Sequence, residues 1–301
     1  MITIYTPTYN RAYILPKLYE SLQNQTCRDF EWIIIDDGST DETESVVKNW
    51  IGTNKFDVVY KKKKNGGMCS AMNVAVQMAR YEWSIKVDSD DFLTSNAVEK
   101  IHEWVETITD DDSFVGVSGL RGYITNDKII GGYPSNKKYK HYIDATNLQR
   151  NKFNLHGDKA EVYKTEILRK YPFPEFEGEN VLDPAVVWDA IANDGYKIRW
   201  FNYVIYKCEY IDDGLTKRYR LDAARCFEGF TFAIKKELTH HRSYAEKSSS
   251  IVKYFYIARK KGLGFTEAKN KINVSMIRII AAFFIVMFCY PKKVISSLIK
   301  K

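Results

Sequence analysis

Cysteine is sparse in this chain and poorly spaced for chemistry of its own. Cys27, Cys69, Cys208, Cys226 and Cys289 are scattered, odd in number and without a C-x-x-C pair. That argues against a disulfide framework and against a zinc site, and it fits a reducing cytoplasm. Long hydrophobic runs are missing too. The longest, Ile279 to Phe288, is uninterrupted but falls short of the ~20 apolar residues that a spanning helix needs. Met1-Ile2-Thr3-Ile4-Tyr5 leads straight into strand-like sequence, without the charged and then apolar stretch of a signal peptide. No internal repeat or low-complexity linker interrupts the chain, so a separate second domain is not required. Disorder of the bulk is excluded as well, because 45% of the residues are hydrophobic and 14% aromatic.

What is present suits one large α/β domain with an extension. The 301 residues carry a net charge of +7, and the basic residues are clustered. Lys61 to Lys64 form one run, and Lys292, Lys293, Lys300 and Lys301 close the chain. Such clusters suit phosphates or anionic lipid when they are not simply solvated faces. For the first run an edge strand is the simpler reading, since edge lysines discourage sheet pairing. A nucleic-acid partner would account for the charge but would leave the aspartate clusters unexplained.

The first ~120 residues alternate strand and helix patterns, the mark of a parallel sheet with crossover helices. Ile2 to Tyr5 reads as a strand, followed by helical spacing of Ile14, Leu15, Leu18, Tyr19 and Leu22. Trp32 to Ile35 is a continuous apolar run, as expected for a strand buried on both faces. It ends in Asp36-Asp37-Gly38-Ser39-Thr40-Asp41-Glu42, turn chemistry followed by acids suited to a helix start. Val58 to Tyr60 is a third strand, and Asn65-Gly66-Gly67 opens a helix. Trp83 to Val87 is a fourth strand, and it delivers Asp88-Ser89-Asp90-Asp91. Phe114 to Val117 and Ile129-Ile130 suggest further strands around an Asn126-Asp127 turn. Residues 144–200 read as short helices and loops, with a helix from Val186 to Ala192. From Leu221 onward the pattern is mostly helical.

Three carboxylates within four residues repel one another, and oxygen ligands of this kind suit Mg²⁺ or Mn²⁺. An acidic solvated turn is the plain alternative. What favours a site is that the acidic segments follow the ends of successive strands, where open α/β sheets bind ligands.

Four segments in register carry a resemblance: Thr6-Pro7-Thr8-Tyr9-Asn10-Arg11, Ile34 to Asp41, Asn65-Gly66-Gly67 with Ala71 and Asn73, and Val87 to Asp91. Weaker ones follow at Trp188-Asp189 and Gly195-Tyr196-Lys197-Ile198. The chain resembles the family 2 glycosyltransferases of GT-A fold, among them bacterial surface-polysaccharide enzymes. The resemblance implies a Rossmann-like, mostly parallel central sheet flanked by helices, with a helical carboxyl-terminal extension. It implies a catalytic domain over 1–215, its nucleotide half over 1–95 and its acceptor half over 96–215, with the extension over 216–301. The implied activity is inverting transfer of a sugar from a nucleotide diphosphate donor, with UDP favoured, to a hydroxyl of a glycan or lipid-linked glycan.

Roles then fall to particular residues. Asp37 can accept the imide N–H of a uracil, with Asp36 nearby for the ribose or for capping. Pro7 and Tyr9 would form the floor under the base. Gly66 and Gly67 permit close backbone approach and open a helix whose amino terminus favours phosphate. Asp88 and Asp90 would hold the metal, Asp90 as the direct ligand and Asp88, with Ser89, toward the ribose; Asp91 is either a second ligand or a helix cap. The general base must be a carboxylate near the acceptor hydroxyl. The family places an acid about a dozen residues before the Gly-Tyr-Lys-Ile element, where Asp183 stands. The usual Glu-Asp pair is absent here, so Glu179 stays a candidate beside the favoured Asp183. His156 and Trp188 are read as structural or acceptor-facing, and Tyr210 to Thr216 as a lid or an ordinary turn.

Ile277 to Tyr290, with Arg278 just before its uninterrupted run Ile279–Phe288 and Pro291-Lys292-Lys293 after it, reads as an interfacial helix at an anionic cytoplasmic surface, as a buried core helix or as a dimer contact. The competing functions are a polyprenyl-phosphate sugar synthase and a non-catalytic nucleotide- or glycan-binding subunit of a membrane assembly.

Overall fold

The computed structural model describes residues 1–53, 56–126, 128–133, 141–180, 182–208 and 224–289. They divide into two compact units, one of residues 1–180 with 191–211 and a second of 181–190 with 212–301.

The first unit begins with four strands and their crossover helices. In order these are β1 (Ile2–Thr8), α1 (Leu15–Gln23), β2 (Phe30–Asp36), α2 (Thr43–Lys48), β3 (Asp57–Lys62), α3 (Gly67–Met78) and β4 (Trp83–Lys86). The strands run parallel in the order β3-β2-β1-β4. Every residue of β2 is buried, as its unbroken apolar run requires. One of them, Glu31, is a buried acid. Its carboxylate accepts the Thr3 hydroxyl and two Arg80 N–H groups, which makes its burial tolerable. Leu15, Leu18 and Leu22, spaced one helical turn apart, pack α1 onto the same core.

The rest of the sheet is mixed. It uses β5 (Phe92–Leu93), β6 (Phe114–Tyr123), β7 (Tyr142–Ala145), β8 (Lys159–Lys164) and β9 (Lys197–Cys208). Strand β8 runs antiparallel between β4 and β6, while β6 and β9 are parallel. β9 also takes β5 and β7 antiparallel. Helices α4 (Ala97–Glu106) and α5 (Thr165–Lys170) complete this part.

Two expectations change here. Residues 144–200, read as helices and loops, contain β8 and the end of β7, because polar residues disguise a buried strand. Lys159 in β8 is 1% exposed and its ammonium donates to the carbonyls of Ile130, His156, Gly157 and Asp158. Glu161, two residues on, pairs with Arg150. Ile129 makes only an isolated bridge to Gly122 rather than a strand. The basic run behaves as expected of an edge: β3 is the outer strand, with Lys61 and Lys62 exposed.

The second unit is helical: α7 (Phe227–Thr239), α8 (Tyr244–Lys260), α9 (Phe265–Ile272) and α10 (Met276–Cys289). Its core joins Phe227, Phe230, Ile251, Tyr254, Ile272 and Ile279. Ser243 starts α8 with a capping box to Glu246, the reciprocal pairing that satisfies two orphan backbone donors. The remaining helix, α6 (Ala185–Asn193), spans the division between the units.

Candidate active site

Strands β1 to β4 all point their carboxyl ends to one edge, and the direction of connection reverses between β1 and β4. A crevice is expected at such a point. Pairing of β1 with β4 stops at Tyr5 and Lys86, so Pro7 and Thr8 continue along β2 alone. Pro7 has no N–H to lose there. Beyond it Tyr9 projects with 48% of its surface exposed. Asn10 adopts a left-handed φ of 52° and locks the β1 loop to the β2 loop. Its backbone N–H donates to Ser39 Oγ and its side-chain oxygen accepts the Thr40 N–H, both at 2.8 Å.

Asp36 and Asp37 are both buried, with different partners. Asp36 accepts the Ser39 N–H on one oxygen and the Tyr60 hydroxyl on the other, each at 2.6 Å. Asp37 accepts the Lys63 ammonium at 2.8 Å, the Gly66 N–H at 2.9 Å and the Gly67 N–H at 2.7 Å. The two N–H groups offered to a phosphate are therefore engaged by Asp37, which ties the start of α3 to the end of β2. Gly67 has a φ of 86°, and a Cβ there would lie 2.6 Å from the Asn180 carbonyl oxygen.

The three acids after β4 divide into different states. Asp91 is turned inward, its Oδ2 accepting the Tyr206 hydroxyl at 2.8 Å. It therefore anchors the turn instead of capping a helix. Asp88 accepts the Lys86 ammonium at 2.7 Å, while its N–H donates to the Tyr206 oxygen at 2.9 Å. Arg121 stacks over the Tyr206 ring at 3.9 Å, with a guanidinium nitrogen 3.5 Å from Asp88 and 3.7 Å from Asp91. Burial works against the charge on Asp88, but Lys86 and Arg121 overcome it and hold its pKa below the ordinary value. Burial, then the Asp88 charge, drives Asp91 well above that value and Asp90 above it. Asp90 makes no hydrogen bond or ion pair with another described residue, and Arg11 and Lys86 act on it only at longer range.

Among the described residues, no three His, Cys, Asp or Glu converge on a point that could hold a metal ion. Mg²⁺ or Mn²⁺ that comes with a diphosphate uses one or two carboxylates plus phosphate oxygens and waters. Half-buried Asp90, without a protein partner, fits the first of those carboxylates, and ionised Asp88 fits the second.

The two base candidates differ in setting. Glu179 ends a tight turn closed by its N–H on the Phe176 carbonyl, and the next residue, Asn180, packs on Gly67. That places it at the carboxyl edge of the first unit. Asp183 belongs to the second unit and its carboxylate accepts the Ala185 N–H at 2.9 Å, at the start of α6. His156 is exposed and contributes its carbonyl to Lys159. Asp189, beside half-buried Trp188, is ion-paired with Arg242. The segment Tyr210 to Thr216 and the basic end of the chain lie outside the described residues.

Sequence reasoning missed Lys86, Arg121 and Tyr206, and it read Lys63 only as part of the basic run. Lys86 had a local signal, two positions before Asp88 on the same strand face. Arg121 and Tyr206 had none, since β6 and β9 bring them in from far along the chain.

Known proteins resemble this chain in part of its sequence and in its fold. A synthase of chondroitin from Pasteurella multocida (strain Pm70) is 41% identical over 99 residues, a third of this chain (33%) but only 10% of its own length. Glycosyltransferase GlyG from Streptococcus pneumoniae is 31% identical over 128 residues, covering 42% of this chain and 41% of that protein. In fold, S. aureus TarS 1-349 in complex with UDP-GlcNAc superposes with a TM-score of 0.61 at 18% identity, covering 95% of this chain and 80% of that one. The mannosyltransferase PcManGT from Pyrobaculum calidifontis, in complex with GDP-Man and Mn²⁺, gives 0.55 at 17% identity, covering 98% and 83%. The family model described as glycosyl transferase family 2 matches residues 3–170, which run from β1 through the acidic turn to the end of α5. With its acidic strand ends and its α/β sheet, this chain belongs to glycosyl transferase family 2.

Proposed function

We propose that this protein transfers a sugar from a UDP-sugar to a hydroxyl of a glycan or lipid-linked glycan, with inversion at the anomeric carbon. The observation that carries the reading is the division of the β4 acids into an anchored Asp91, an ionised Asp88 and an unpartnered Asp90. The UDP-GlcNAc complex of TarS and the Mn²⁺ complex of PcManGT support it by analogy of fold.

Tyr9 offers an exposed aromatic face to the base, and Pro7 would complete the floor. Asp37 has three donors against about four acceptor positions on a carboxylate, which leaves room for one imide N–H. Asp36 acts as a turn cap beneath it, both oxygens being engaged. Gly66 keeps the backbone clear where a Cβ would meet the Lys63 ammonium at 2.8 Å. Asp88 and Ser89 would face the ribose, and Asp90 with Asp88 would hold Mn²⁺ or Mg²⁺. When bound, the cation supplies Lewis-acid neutralisation of the departing diphosphate. A carboxylate, Asp183 or Glu179, takes the proton of the acceptor hydroxyl as its oxygen attacks from the face opposite the leaving group. A cytoplasmic setting, at the inner face of the cell membrane, would put the enzyme where nucleotide sugars and lipid-linked acceptors meet.

The test is UDP release from a panel of UDP-sugars with Mn²⁺ present. Release from at least one donor, lost on chelation and in Asp90→Asn, supports the reading. UDP binding with no release from any donor, in the presence of acceptor glycans, would move the protein to a non-catalytic binding subunit.

A further inference from the structure

Charge and exposed apolar surface are both concentrated at the carboxyl-terminal end. Residues 224–301 hold sixteen lysines and arginines against four acids, so the preceding 223 residues are net negative within a chain of +7. After Glu267 no acid follows, while Lys269, Lys271, Arg278, Lys292, Lys293, Lys300 and Lys301 do.

Within this cationic stretch lies α10, apolar at every position except Arg278. Its inner face, Ile279, Ala282 and Val286, is buried, and the first two join the core with Ile251 and Tyr254. Its outer face keeps Ile277, Ile280, Phe284, Met287 and Phe288 in contact with solvent, with Ile277 81% and Phe288 78% exposed. Spacings of three, four, three and one place these five on a single stripe of the helix. A contiguous stripe of large apolar side chains is the mark of an interaction surface.

The geometry decides what covers it. With 14 residues at 1.5 Å each, α10 is about 21 Å long, against ~30 Å of bilayer hydrocarbon. No single described helix is long and apolar enough to cross a membrane, and α9 with α10, which together have the length and composition, are bent by 96° to each other. Burying the stripe against a second copy would bring two acid-free cationic ends together, which is electrostatically unfavourable. An anionic bilayer surface satisfies both the stripe and the charge. We propose that the outer face of α10 docks on an anionic lipid bilayer, with Phe284 and Phe288 in the headgroup–acyl boundary, Arg278 on lipid phosphates and the basic charge of the sequence after it adding to the attraction. The proposal goes beyond the transferase reading and does not depend on it, because lipid binding is read without turnover.

The test is co-sedimentation of the full chain with vesicles of phosphatidylcholine alone and of phosphatidylcholine with phosphatidylglycerol. The chain should sediment with the phosphatidylglycerol vesicles and be released progressively by salt. Phe284→Ser with Phe288→Ser should lower partitioning about tenfold or more without lowering the melting temperature. Lys292→Glu with Lys293→Glu should weaken binding to the anionic vesicles alone. Retention in the supernatant with both vesicles, or unchanged partitioning of the Phe double variant, overturns the proposal. So does a dimer by light scattering that the Phe double variant dissociates, which would assign the face to a second copy.

Discussion

The Tyr206 hydroxyl donates to Asp91 at 2.8 Å while its oxygen receives the Asp88 N–H at 2.9 Å. One phenol from β9 thus fixes both ends of the turn that carries Asp90. Tyr206→Phe leaves the Asp91 carboxylate without its donor, a loss of ~1–3 kcal/mol for a buried polar group. Because the turn then loosens under Asp90, the Mn²⁺ concentration for half-maximal transfer should rise several-fold. A melting curve and a metal titration of the initial rate check both parts. A drop in melting temperature with an unchanged metal titration would make Tyr206 purely structural.

The general base is separable by two amide substitutions. The carboxylate that takes the acceptor proton should, as its amide, lose transfer by ~10² or more while UDP binding persists. Asp183→Asn and Glu179→Gln, each assayed for transfer and for UDP binding, name the base by which one fails. Asp183 has the family spacing in its favour. Glu179 has its neighbour Asn180 packed on Gly67 at the carboxyl edge.

Gly67 and Gly178 form a matched pair for testing that packing. Both have positive φ, 86° and 75°, but a Cβ on Gly67 would strike Asn180 backbone at 2.6 Å, whereas Gly178 has nothing within 4 Å. Gly178→Ala should cost only the left-handed strain, ~1–2 kcal/mol. Gly67→Ala should cost clearly more and lower activity too, because it displaces the loop holding Glu179. Equal losses in melting temperature would contradict the close approach.

Much of the first unit was legible because its rules are local. The strand and helix periods of residues 2–87, the apolar run in β2 and the acids at strand ends all follow from neighbours in sequence. The second half of the sheet was not. β8 carries a buried Lys159 and a half-buried Glu161, and only Arg150 and four carbonyls, none of them in its own strand, make that tolerable. The same limit hid Arg121 and Tyr206, whose roles exist only once β6 and β9 are paired. Asp37 shows a subtler case. Its position at a strand end was readable, but its hold on the Gly66 and Gly67 N–H groups depends on β3 and α3 folding back.

Lys159 gives a pH signature. Burial, and then the Arg150 charge, pulls its pKa down to about 8, below the unfolded value of about 10.4. Between those values the unfolded chain holds the extra proton, so stability from this group rises as pH climbs through the window and is flat below it. Lys159→Met has no such dependence. Wild-type stability relative to that variant should therefore increase across that window, read from denaturant midpoints. A constant difference would contradict the buried ammonium.

The central claim rests on Asp90, which makes no hydrogen bond or ion pair with another described residue. Calorimetric titration of UDP, with and without Mn²⁺, into the wild type and Asp90→Asn tests it most directly. The account predicts that Mn²⁺ strengthens UDP binding to the wild type and that this gain disappears in Asp90→Asn, with the fold intact. Equal strengthening by Mn²⁺ in both proteins would contradict it.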